Sequence, residues 1–311
     1  MPRWYGVLRI DGRTRLYGVM GDPVEHTLSP VMHNAAFAAL GMNAVYLPLP
    51  VEPQQLRRAL LALPALGFGG VNLTVPHKER ALRVVHQATE RARRIGAVNT
   101  VVVRRGRLLG DNTDGEGLLR ALREGGVVVR GASAVVLGAG GAARAVAVTL
   151  AAAGCHSLTI SNRTVERARR LAAWVRRAVR GAPVDCVALG SVALADRISH
   201  ADLVVNATSV GLRGETVRLV PSAALQRGQH VVDLVYRPSG TALLVAARRR
   251  GAHAHDGLGM LLHQGAFAFE LWTGRRAPLD VMRRALQKAV TGDKDPAHLL
   301  VAAAGSVPKG D

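Results

Sequence analysis

One segment restricts what this chain can fold into more than any other. Residues 132–137 form a run that is apolar apart from Ser133, as expected for a strand buried on both faces of a parallel sheet. The run leads into Gly138-Ala139-Gly140-Gly141-Ala142-Ala143, and an Ala-rich helical stretch follows. In this G-x-G-x-x-A pattern the first Gly permits a tight turn, the second lets backbone approach a pyrophosphate, and the small last residue permits close helix packing. Glycines also mark ordinary turns, but the strand–turn–helix setting favours a dinucleotide site with the phosphates at the helix N-terminus.

The rest of the chain alternates predicted strands and helices in two stretches. Predicted strands at 157–161, 184–188, 201–206 and 230–234, separated by helical stretches, indicate a parallel sheet with right-handed crossovers. Before the glycine loop the sequence predicts strands at 16–20, 44–49 and 70–74, helices at 29–40 and 52–63, and a hairpin at 98–109 turning near Arg105-Gly106. Beyond residue 257 the pattern is helical, through 272 and again over 278–290. A length of 311 residues favours two domains, so the predicted fold class is α/β with two domains.

The residues at the end of the strand that follows the glycine loop indicate which cofactor binds, NAD or NADP. An NAD site usually has an acidic residue there, which holds the ribose 2′-hydroxyl. Here the strand ends in Ser161-Asn162-Arg163-Thr164, and Arg167 comes one helical turn later. The two arginines offer cationic donors to a 2′-phosphate, which favours NADP. The alternatives are chance, since 37 of 311 residues are Arg, and a simple helix N-cap role for Thr164.

Four polar loop or strand-end segments lie outside the predicted nucleotide-binding part. Thr27 and Ser29 are two residues apart, so in an extended segment both hydroxyls face the same side. Lys78 is the only lysine in the first 287 residues, which suggests a need for a titratable ammonium. Asn99 and Asp114 lie in the other two segments. The alternatives are helix N-caps for Ser29 and Asp114 and a surface position for Lys78.

Composition excludes several classes of protein. The net charge is +19, and 37 of the 41 basic residues are arginines spread along the chain, as on a solvated surface rather than a nucleic-acid-binding arm. No long apolar run predicts a membrane span, and no signal peptide is evident at the start of the chain. Two distant cysteines, Cys155 and Cys186, predict neither a disulfide framework nor a zinc site and favour a cytoplasmic location. The segment His253-Ala-His255-Asp256 has no third ligand nearby in sequence, so no metal site is predicted.

Taken in order, these motifs resemble the shikimate dehydrogenase family, which includes shikimate/quinate dehydrogenases. The resemblance runs from about residue 17 to 274 and is highly specific because ten separate motifs keep their order. They are Gly-Asp-Pro-Val-Glu-His-Thr-Leu-Ser-Pro (21–30), His-Asn (33–34), Asn-Leu-Thr-Val-Pro-His-Lys (72–78), Gly-Ala-Val-Asn-Thr (96–100), Asp-Asn-Thr-Asp-Gly (111–115), Gly-Ala-Gly-Gly-Ala (138–142), Asn-Arg-Thr (162–164), Asn-Ala-Thr-Ser (206–209), Asp-Leu-Val-Tyr-Arg-Pro (233–238) and Gly-Met-Leu-Leu-His-Gln-Gly (259–265).

The resemblance implies a fold, a reaction and a pathway. It implies an α/β substrate-binding domain of residues 1–118 plus 257–291, a Rossmann-type, doubly wound NADP-binding domain of residues 119–256, and a loose C-terminal tail of residues 292–311. The implied activity is the reversible, NADPH-dependent reduction of 3-dehydroshikimate to shikimate, a step of chorismate and aromatic amino-acid biosynthesis. The enzyme is expected to be a cytoplasmic monomer or homodimer without a specific nucleic-acid or membrane partner.

The resemblance also implies roles for individual residues. Lys78 and Asp114 would form the catalytic pair. Substrate would be bound by Thr27, Ser29, Thr74, Lys78, Asn99, Asp114, Tyr236 and Gln264. Cofactor would be bound by Gly138, Ala139, Gly140, Gly141, Ala142, Asn162, Arg163, Thr164, Arg167, Asn206, Ala207, Thr208, Val235, Gly257 and Met260. Thr27 stands where many members have Ser, and its added methyl group could crowd the substrate carboxylate.

Three other functions compete with this interpretation. An NAD-using quinate/shikimate dehydrogenase is disfavoured by Asn162-Arg163-Thr164, which contains no acidic residue. A basic nucleic-acid-binding protein on a Rossmann scaffold fits the charge, but the few aromatic residues form no stacking stripe. A non-catalytic nucleotide sensor would not need both Lys78 and Asp114.

Overall fold

A computed structural model describes residues 10–211, 217, 219–237 and 240–291. These residues form two six-stranded sheets, one from the first third of the chain and one from its middle. The predicted α/β class with two domains is thereby confirmed. The exact division into residues 1–118 plus 257–291 and 119–256 stays a prediction, and the predicted tail and Pro238 lie outside the described residues.

The first sheet is mixed. Its strands are β1 (Arg15–Gly21), β2 (Ala44–Pro50), β3 (Phe68–Leu73), β4 (Gln87–Ala88), β5 (Thr100–Arg104) and β6 (Arg107–Asp111), in the order β2-β1-β3-β5-β6-β4. The accompanying helices are α1 (Ser29–Ala39), α2 (Leu56–Ala62), α3 (Lys78–Ala81), α4 (Glu90–Ile95) and α5 (Asp114–Glu124). Strand β1 runs parallel to β2 and β3, whereas β5 is antiparallel to β3 and β6. The β5–β6 hairpin turns at Arg105 and Gly106, both with positive φ, as predicted.

The second sheet is parallel throughout. Its strands are β7 (Ser133–Leu137), β8 (Ser157–Asn162), β9 (Val184–Ala188), β10 (Leu203–Asn206), β11 (His230–Asp233) and β12 (His253–His255). The connecting helices are α6 (Gly141–Ala152), α7 (Val165–Ala178), α8 (Val192–Ser199) and α9 (Ala242–Arg249). The spatial order β9-β8-β7-β10-β11-β12 is the 3-2-1-4-5-6 order of a Rossmann sheet. Its strand order therefore reverses between β7 and β10, where such sheets bind their ligands.

Two further helices, α10 (Leu258–Thr273) and α11 (Leu279–Thr291), return the chain to the first sheet. They pack over it with α1, and Tyr17, Phe37, Tyr46, Phe269 and Trp272 form one aromatic cluster there. The cores around the second sheet consist mainly of Ala, Val and Leu. The buried aromatic residues of the described part of the chain therefore lie under the first sheet, and the partly buried Trp174 packs against a core of the second.

The cap predicted for the first helix is wrong. Helix α1 begins at Ser29, its N-cap position is Leu28, and no side chain caps it. The hydroxyl of Thr27 instead accepts the backbone N–H of Ser29 at 3.3 Å. Asp114 is likewise the first residue of α5 rather than its N-cap, and the side-chain oxygen of Asn112 accepts its N–H at 3.1 Å. The side chains of Ser29 and Asp114 do not cap α1 and α5, so they are available to face away from the helix ends.

A histidine cluster forms at the edge of the second sheet. His253 and His255 belong to β12, and the pairing of β11 with β12 brings His230 beside them. His230 Nδ1 lies 3.0 Å from His255 Nε2, so a third imidazole is near in space although it is distant in sequence. Among residues 10–211, 217, 219–237 and 240–291, no group of three or more His, Cys, Asp or Glu side chains is arranged to hold a metal ion.

Candidate active site

A cavity of about 180 Å³ lies between the first sheet, the start of α6 and the N-terminal half of α10. All eight residues predicted to bind substrate line it: Thr27, Ser29, Thr74, Lys78, Asn99, Asp114, Tyr236 and Gln264. Three predicted cofactor residues, Ala142, Gly257 and Met260, line it as well. The polar residues scattered between positions 27 and 264 thus meet the nucleotide-binding part of the fold at one place.

The central contact of the cavity joins Lys78 and Asp114. The Nζ of Lys78 donates to Oδ2 of Asp114 at 2.7 Å, and the two side chains are only 13% and 4% exposed. The other carboxylate oxygen, Oδ1, accepts from Nδ2 of Asn99 at 2.8 Å. A buried carboxylate with a partner on each oxygen has a fixed orientation, so it can hold the ammonium at one point of the cavity.

Asn99 is the hub of this hydrogen-bond network. Its Nδ2 also lies 2.9 Å from Oγ1 of Thr113 and 3.3 Å from Oε1 of Gln264. Its Oδ1 accepts the backbone N–H of Thr113 at 2.8 Å and the hydroxyl of Thr100 at 2.9 Å. Because these groups are buried, the loss of one partner leaves another unsatisfied, which makes the network rigid.

A second set of contacts fixes the loop that carries Asp114. Asp111 accepts from Nε of Arg91 at 2.7 Å and from Oγ1 of Thr89 at 2.6 Å. Burial acts to raise the pKa of Asp111, but the hydrogen bonds from Arg91 and Thr89 and the charge of Arg91 hold this pKa below its ordinary value. The side chain of Asn112 donates to the carbonyl of Ala97 at 2.9 Å, which ties the same loop to the strand start beside Asn99.

Asn72 lines the cavity but is absent from the residues predicted from sequence. Its Oδ1 accepts the hydroxyl of Tyr46 at 2.7 Å, and its Nδ2 lies 3.1 Å from Oγ1 of Thr100. Asn72 begins the segment Asn-Leu-Thr-Val-Pro-His-Lys, so its position at the end of a predicted strand was a usable signal. No sequence pattern of this kind pointed to the apolar residues that also line the cavity, which are Val19, Leu73, Leu234 and Leu261.

Tyr236 reaches the cavity from the loop after β11. Its hydroxyl lies 3.4 Å from the backbone N–H of Leu28, and a hydrogen bond with Thr27 adds to this contact. Burial raises the pKa of Tyr236, so the phenol stays protonated and can act as a donor. The second sheet therefore contributes one polar side chain to the corner formed by Thr27 and Ser29.

The glycine loop has the geometry that a pyrophosphate needs. Gly138 has φ +115°, and a Cβ at this position would lie 2.9 Å from the carbonyl oxygen of Ala207. Gly140 is the N-cap residue of α6, and a Cβ built there would meet nothing within 4 Å. The first turn of α6 thus opens on free space with unsatisfied backbone N–H groups, where a phosphate would bind. Ala139 lies between these two glycines.

The predicted 2′-phosphate site lies away from the cavity, at the end of β8. The side chain of Asn162 donates to the carbonyl of Thr164 at 3.0 Å. Thr164 is the N-cap residue of α7, yet its side chain forms no capping hydrogen bond. Arg163 and Arg167 are exposed, and neither forms an ion pair with an acidic residue in the described part of the chain. Two unpaired cations and a free hydroxyl fit a phosphate at this position.

The turn after β10 faces the glycine loop across the point where the strand order reverses. Asn206 donates to Oδ1 of Asp233 at 2.8 Å and accepts from the hydroxyl of Thr208 at 2.7 Å. Burial raises the pKa of Asp233, and this carboxylate also accepts the N–H of Val235 at 3.0 Å. Asn206, Thr208 and Val235 are thus linked through hydrogen bonds to one another or to Asp233, and Ala207 and Thr208 lie beside Gly138 of the glycine loop. None of these four predicted cofactor residues lines the cavity.

Comparisons with known proteins agree with this geometry. Three family models match: the shikimate dehydrogenase substrate binding domain over residues 19–101, shikimate/quinate 5-dehydrogenase over residues 121–234, and the shikimate 5′-dehydrogenase C-terminal domain over residues 257–287. A shikimate dehydrogenase (NADP(+)) of Moorella thermoacetica is 51% identical over 286 residues, which cover 91% of this chain and 96% of that protein.

Solved structures are similar over the same extent. A shikimate dehydrogenase crystallised with NADP+ is 38% identical, with a TM-score of 0.85 over 93% of this chain and all of that one. A quinate dehydrogenase from Corynebacterium glutamicum in complex with NAD is 34% identical, with a TM-score of 0.81 over 88% of this chain and 99% of that one. The fold is therefore common to enzymes with different cofactors and substrates, and the choice between them depends on individual side chains.

Proposed function

The chain belongs to the shikimate dehydrogenase family, and from this premise we propose that it interconverts 3-dehydroshikimate and shikimate with NADP(H). This reaction is a step of chorismate and aromatic amino-acid biosynthesis. One observation carries the proposal: the Lys78–Asp114 pair and seven further polar residues line a single cavity that opens at the phosphate-binding turn of a Rossmann sheet.

Lys78 is the proton donor in the direction of reduction. When bound, the nicotinamide of NADPH supplies a hydride to the carbonyl carbon, and the carbonyl oxygen then needs a proton. An ammonium at hydrogen-bonding distance stabilises the developing negative charge on this oxygen and transfers its proton to it. In the direction of oxidation, the neutral amine accepts the proton of the alcohol.

Asp114 keeps the ammonium of Lys78 in line with the reacting oxygen. Its second oxygen is held by Asn99, so the carboxylate cannot rotate away when the charge on Lys78 changes. Asp114 also offers an acceptor to a neighbouring hydroxyl of the substrate. Lys78 and Asp114 therefore act as one catalytic unit.

The remaining polar residues divide between the two ends of the substrate. Thr27, Ser29 and Tyr236 form the corner that binds the substrate carboxylate through hydroxyl donors. Thr74, Asn99 and Gln264 bind the ring hydroxyls, for which amide and hydroxyl groups provide both donors and acceptors. We add Asn72 to this second group because it lines the same wall.

The second sheet holds NADP(H). The backbone of residues 138–142 binds the pyrophosphate, and Asn162, Arg163, Thr164 and Arg167 bind the 2′-phosphate of the adenosine. Asn206, Ala207, Thr208, Val235, Gly257 and Met260 lie along the nicotinamide. The missing acidic residue after β8 removes the partner that an NAD ribose would need.

Our proposal extends to the setting of the enzyme. The free thiols of Cys155 and Cys186 are compatible with a cytoplasmic location, and no described helix is long and apolar enough to cross a membrane. We propose a monomer or homodimer in which residues 1–118 plus 257–291 bind substrate and residues 119–256 bind cofactor. The high positive charge attracts nucleic acid only weakly and without sequence preference, since it is spread over the surface.

Initial rates with each combination of two cofactors and two acids test the proposal. We expect kcat/KM to be highest for NADP+ with shikimate, and at least about tenfold lower when NAD+ or quinate is substituted. Equal values for the two cofactors, or a preference for quinate with NAD+, would instead support an NAD-using quinate/shikimate dehydrogenase.

A further inference from the structure

The two sheets meet closely beside the catalytic pair. A Cβ built on Gly141, the first residue of α6, would lie 2.9 Å from the Cβ of Lys78. The helix that would receive the cofactor pyrophosphate therefore begins in direct contact with the residue proposed to donate the proton. A shift of this helix relative to α3 would therefore change its contact with Lys78.

An ion pair holds these two helices together. Nη2 of Arg144, in the first turn of α6, donates to Oε2 of Glu79 at 3.1 Å. Glu79 follows Lys78 directly in α3. The side chain of Arg144 is only 15% exposed although that of Glu79 is 44% exposed, so the arginine side of the pair is largely shielded from solvent.

The arginine is itself fixed by an aromatic ring. The guanidinium carbon of Arg144 lies 4.8 Å from the centroid of the Trp174 ring, within the range of a cation–π contact. The indole N–H of Trp174 donates to the carbonyl of Arg94 at 2.9 Å, and Nε of Arg94 donates to the carbonyl of Ala178 at 3.1 Å. We call Glu79, Arg144, Trp174 and Arg94 the interdomain clamp, because Glu79 and Arg94 lie on helices of the first sheet and Arg144 and Trp174 on helices of the second.

We propose that Arg144 is a positioning residue that couples cofactor binding to the placement of Lys78. This inference rests on the proposed function, since it assumes that Lys78 contacts the substrate. A phosphate at the start of α6 orders the first turn of this helix, which contains Arg144. Arg144 then holds Glu79, and with it α3 and Lys78, at the distance that the substrate needs.

Thermodynamic linkage makes this proposal measurable without turnover. If bound cofactor favours the arrangement that binds substrate, then NADP+ tightens the binding of shikimate, and shikimate tightens that of NADP+ by the same factor. Titration calorimetry of shikimate, with and without saturating NADP+, measures this factor. For the wild-type enzyme we expect about fivefold.

Two variants disrupt the clamp, and a third variant outside it serves as a matched control. Arg144→Met removes the charge but keeps an unbranched side chain that packs on Trp174, and Glu79→Gln removes the charge from the other side. Arg177→Met is the control, because the guanidinium of Arg177 lies 5.5 Å from the same Trp174 ring and forms no ion pair with the described residues of α3. Arg144→Lys tests whether charge alone is enough.

We expect the coupling factor to fall to about 1 in Arg144→Met and Glu79→Gln, to be retained in Arg177→Met, and to be intermediate in Arg144→Lys. In the two clamp variants, kcat should fall by a larger factor than the affinity for NADP+ that is measured without shikimate. A coupling factor near 1 in the wild-type enzyme, or one that persists in both folded clamp variants, overturns the proposal. A wild-type protein that neither binds nor oxidises shikimate contradicts the proposed function itself, and the clamp proposal falls with it.

Discussion

The substrate cavity and the 2′-phosphate site differ in how far they are assembled before any ligand binds. In the cavity, Asn99 and Asp114 are buried, Lys78 is partly buried, and the three are already linked by hydrogen bonds through Asp114. At the end of β8, Arg163 and Arg167 are exposed, and the hydroxyl of Thr164 makes no capping bond. In the cavity, hydrogen bonds formed on folding already fix the geometry of the side chains. At the 2′-phosphate site, the two arginines stay exposed to solvent until an anion binds.

This difference predicts two kinds of response to substitution. Inside the cavity the effects should be large and non-additive, because each group is a partner of the next. At the phosphate site the effects should be smaller and confined to cofactor choice, because each arginine contacts the ligand independently.

The largest effect is expected for Lys78. Lys78→Ala should lower kcat by about 10²–10⁴, the usual contribution of general acid catalysis, and leave NADP+ affinity nearly unchanged. Lys78→Arg should restore little, because a guanidinium does not release its proton near neutral pH. Steady-state kinetics and cofactor titration check both statements, with Lys288→Ala on α11 as a control for loss of one lysine.

A folded Lys78→Ala enzyme with kcat within about threefold of the wild type, in an assay limited by chemistry, would require another proton donor.

Next in size is the effect on cofactor choice. Arg163→Ala should lower kcat/KM for NADP+ by about 10- to 100-fold through loss of a charge-assisted hydrogen bond, and should change kcat/KM for NAD+ little. Arg170→Ala removes the same charge from an exposed position on α7, the helix that follows Arg163, and serves as the control. Equal losses with both cofactors would place Arg163 outside the 2′-phosphate site.

The sequence predicted the elements of this molecule better than the contacts between them. The glycine loop between an apolar strand and a helix was enough to predict a dinucleotide-binding site, whereas the meeting of Lys78, Asn99 and Asp114 was predicted from the motifs that carry the family resemblance. These signals are local, since they depend on residues a few positions apart.

Contacts between distant elements were not visible in the sequence. His230 lies beside His255 only because β11 pairs with β12, and the bond from Arg91 to Asp111 depends on how α4 packs against β6. The error at Ser29 has a local origin instead. The residue type suits an N-cap, but α1 begins at Ser29 itself, one residue earlier than a Ser29 cap requires, and the hydroxyl of Thr27 accepts the N–H of Ser29.

A third prediction concerns the core beneath the cavity. His33 is fully buried against Tyr46, with ring centroids 4.3 Å apart, and burial lowers its pKa to about 3. The unfolded chain takes up a proton below its ordinary pKa of about 6.5, whereas the native state does not until the pH approaches 3. The stability contributed by neutral His33 is therefore complete above pH 6.5 and is lost as the pH falls toward 3.

Denaturant unfolding at several pH values measures this loss. His33 alone should reduce the free energy of unfolding by about 2 kcal/mol between pH 7 and pH 5. His33→Leu should remove this part of the pH dependence, whereas a variant of the exposed His156 should behave as the wild type does. An unchanged pH slope in His33→Leu would show that His33 is not the group responsible.

The smallest effect is expected at the carboxylate corner. Quinate carries an extra hydroxyl on the carbon that bears its carboxylate, and the methyl group of Thr27 should restrict the space for it. Thr27→Ser should therefore raise kcat/KM for quinate relative to shikimate by about three- to tenfold. No change in this ratio would show that Thr27 does not determine the preference.

A double-mutant cycle at Lys78 and Asp114 tests most directly whether the cavity works as one assembled unit. Single-turnover rates of Lys78→Ala, Asp114→Asn and the double variant are compared at saturating NADP+ and shikimate. If the pair acts as one catalytic unit, the double variant is scarcely slower than the slower single variant. If the two losses instead multiply, Lys78 and Asp114 contribute independently, and the account of a shared catalytic unit is contradicted.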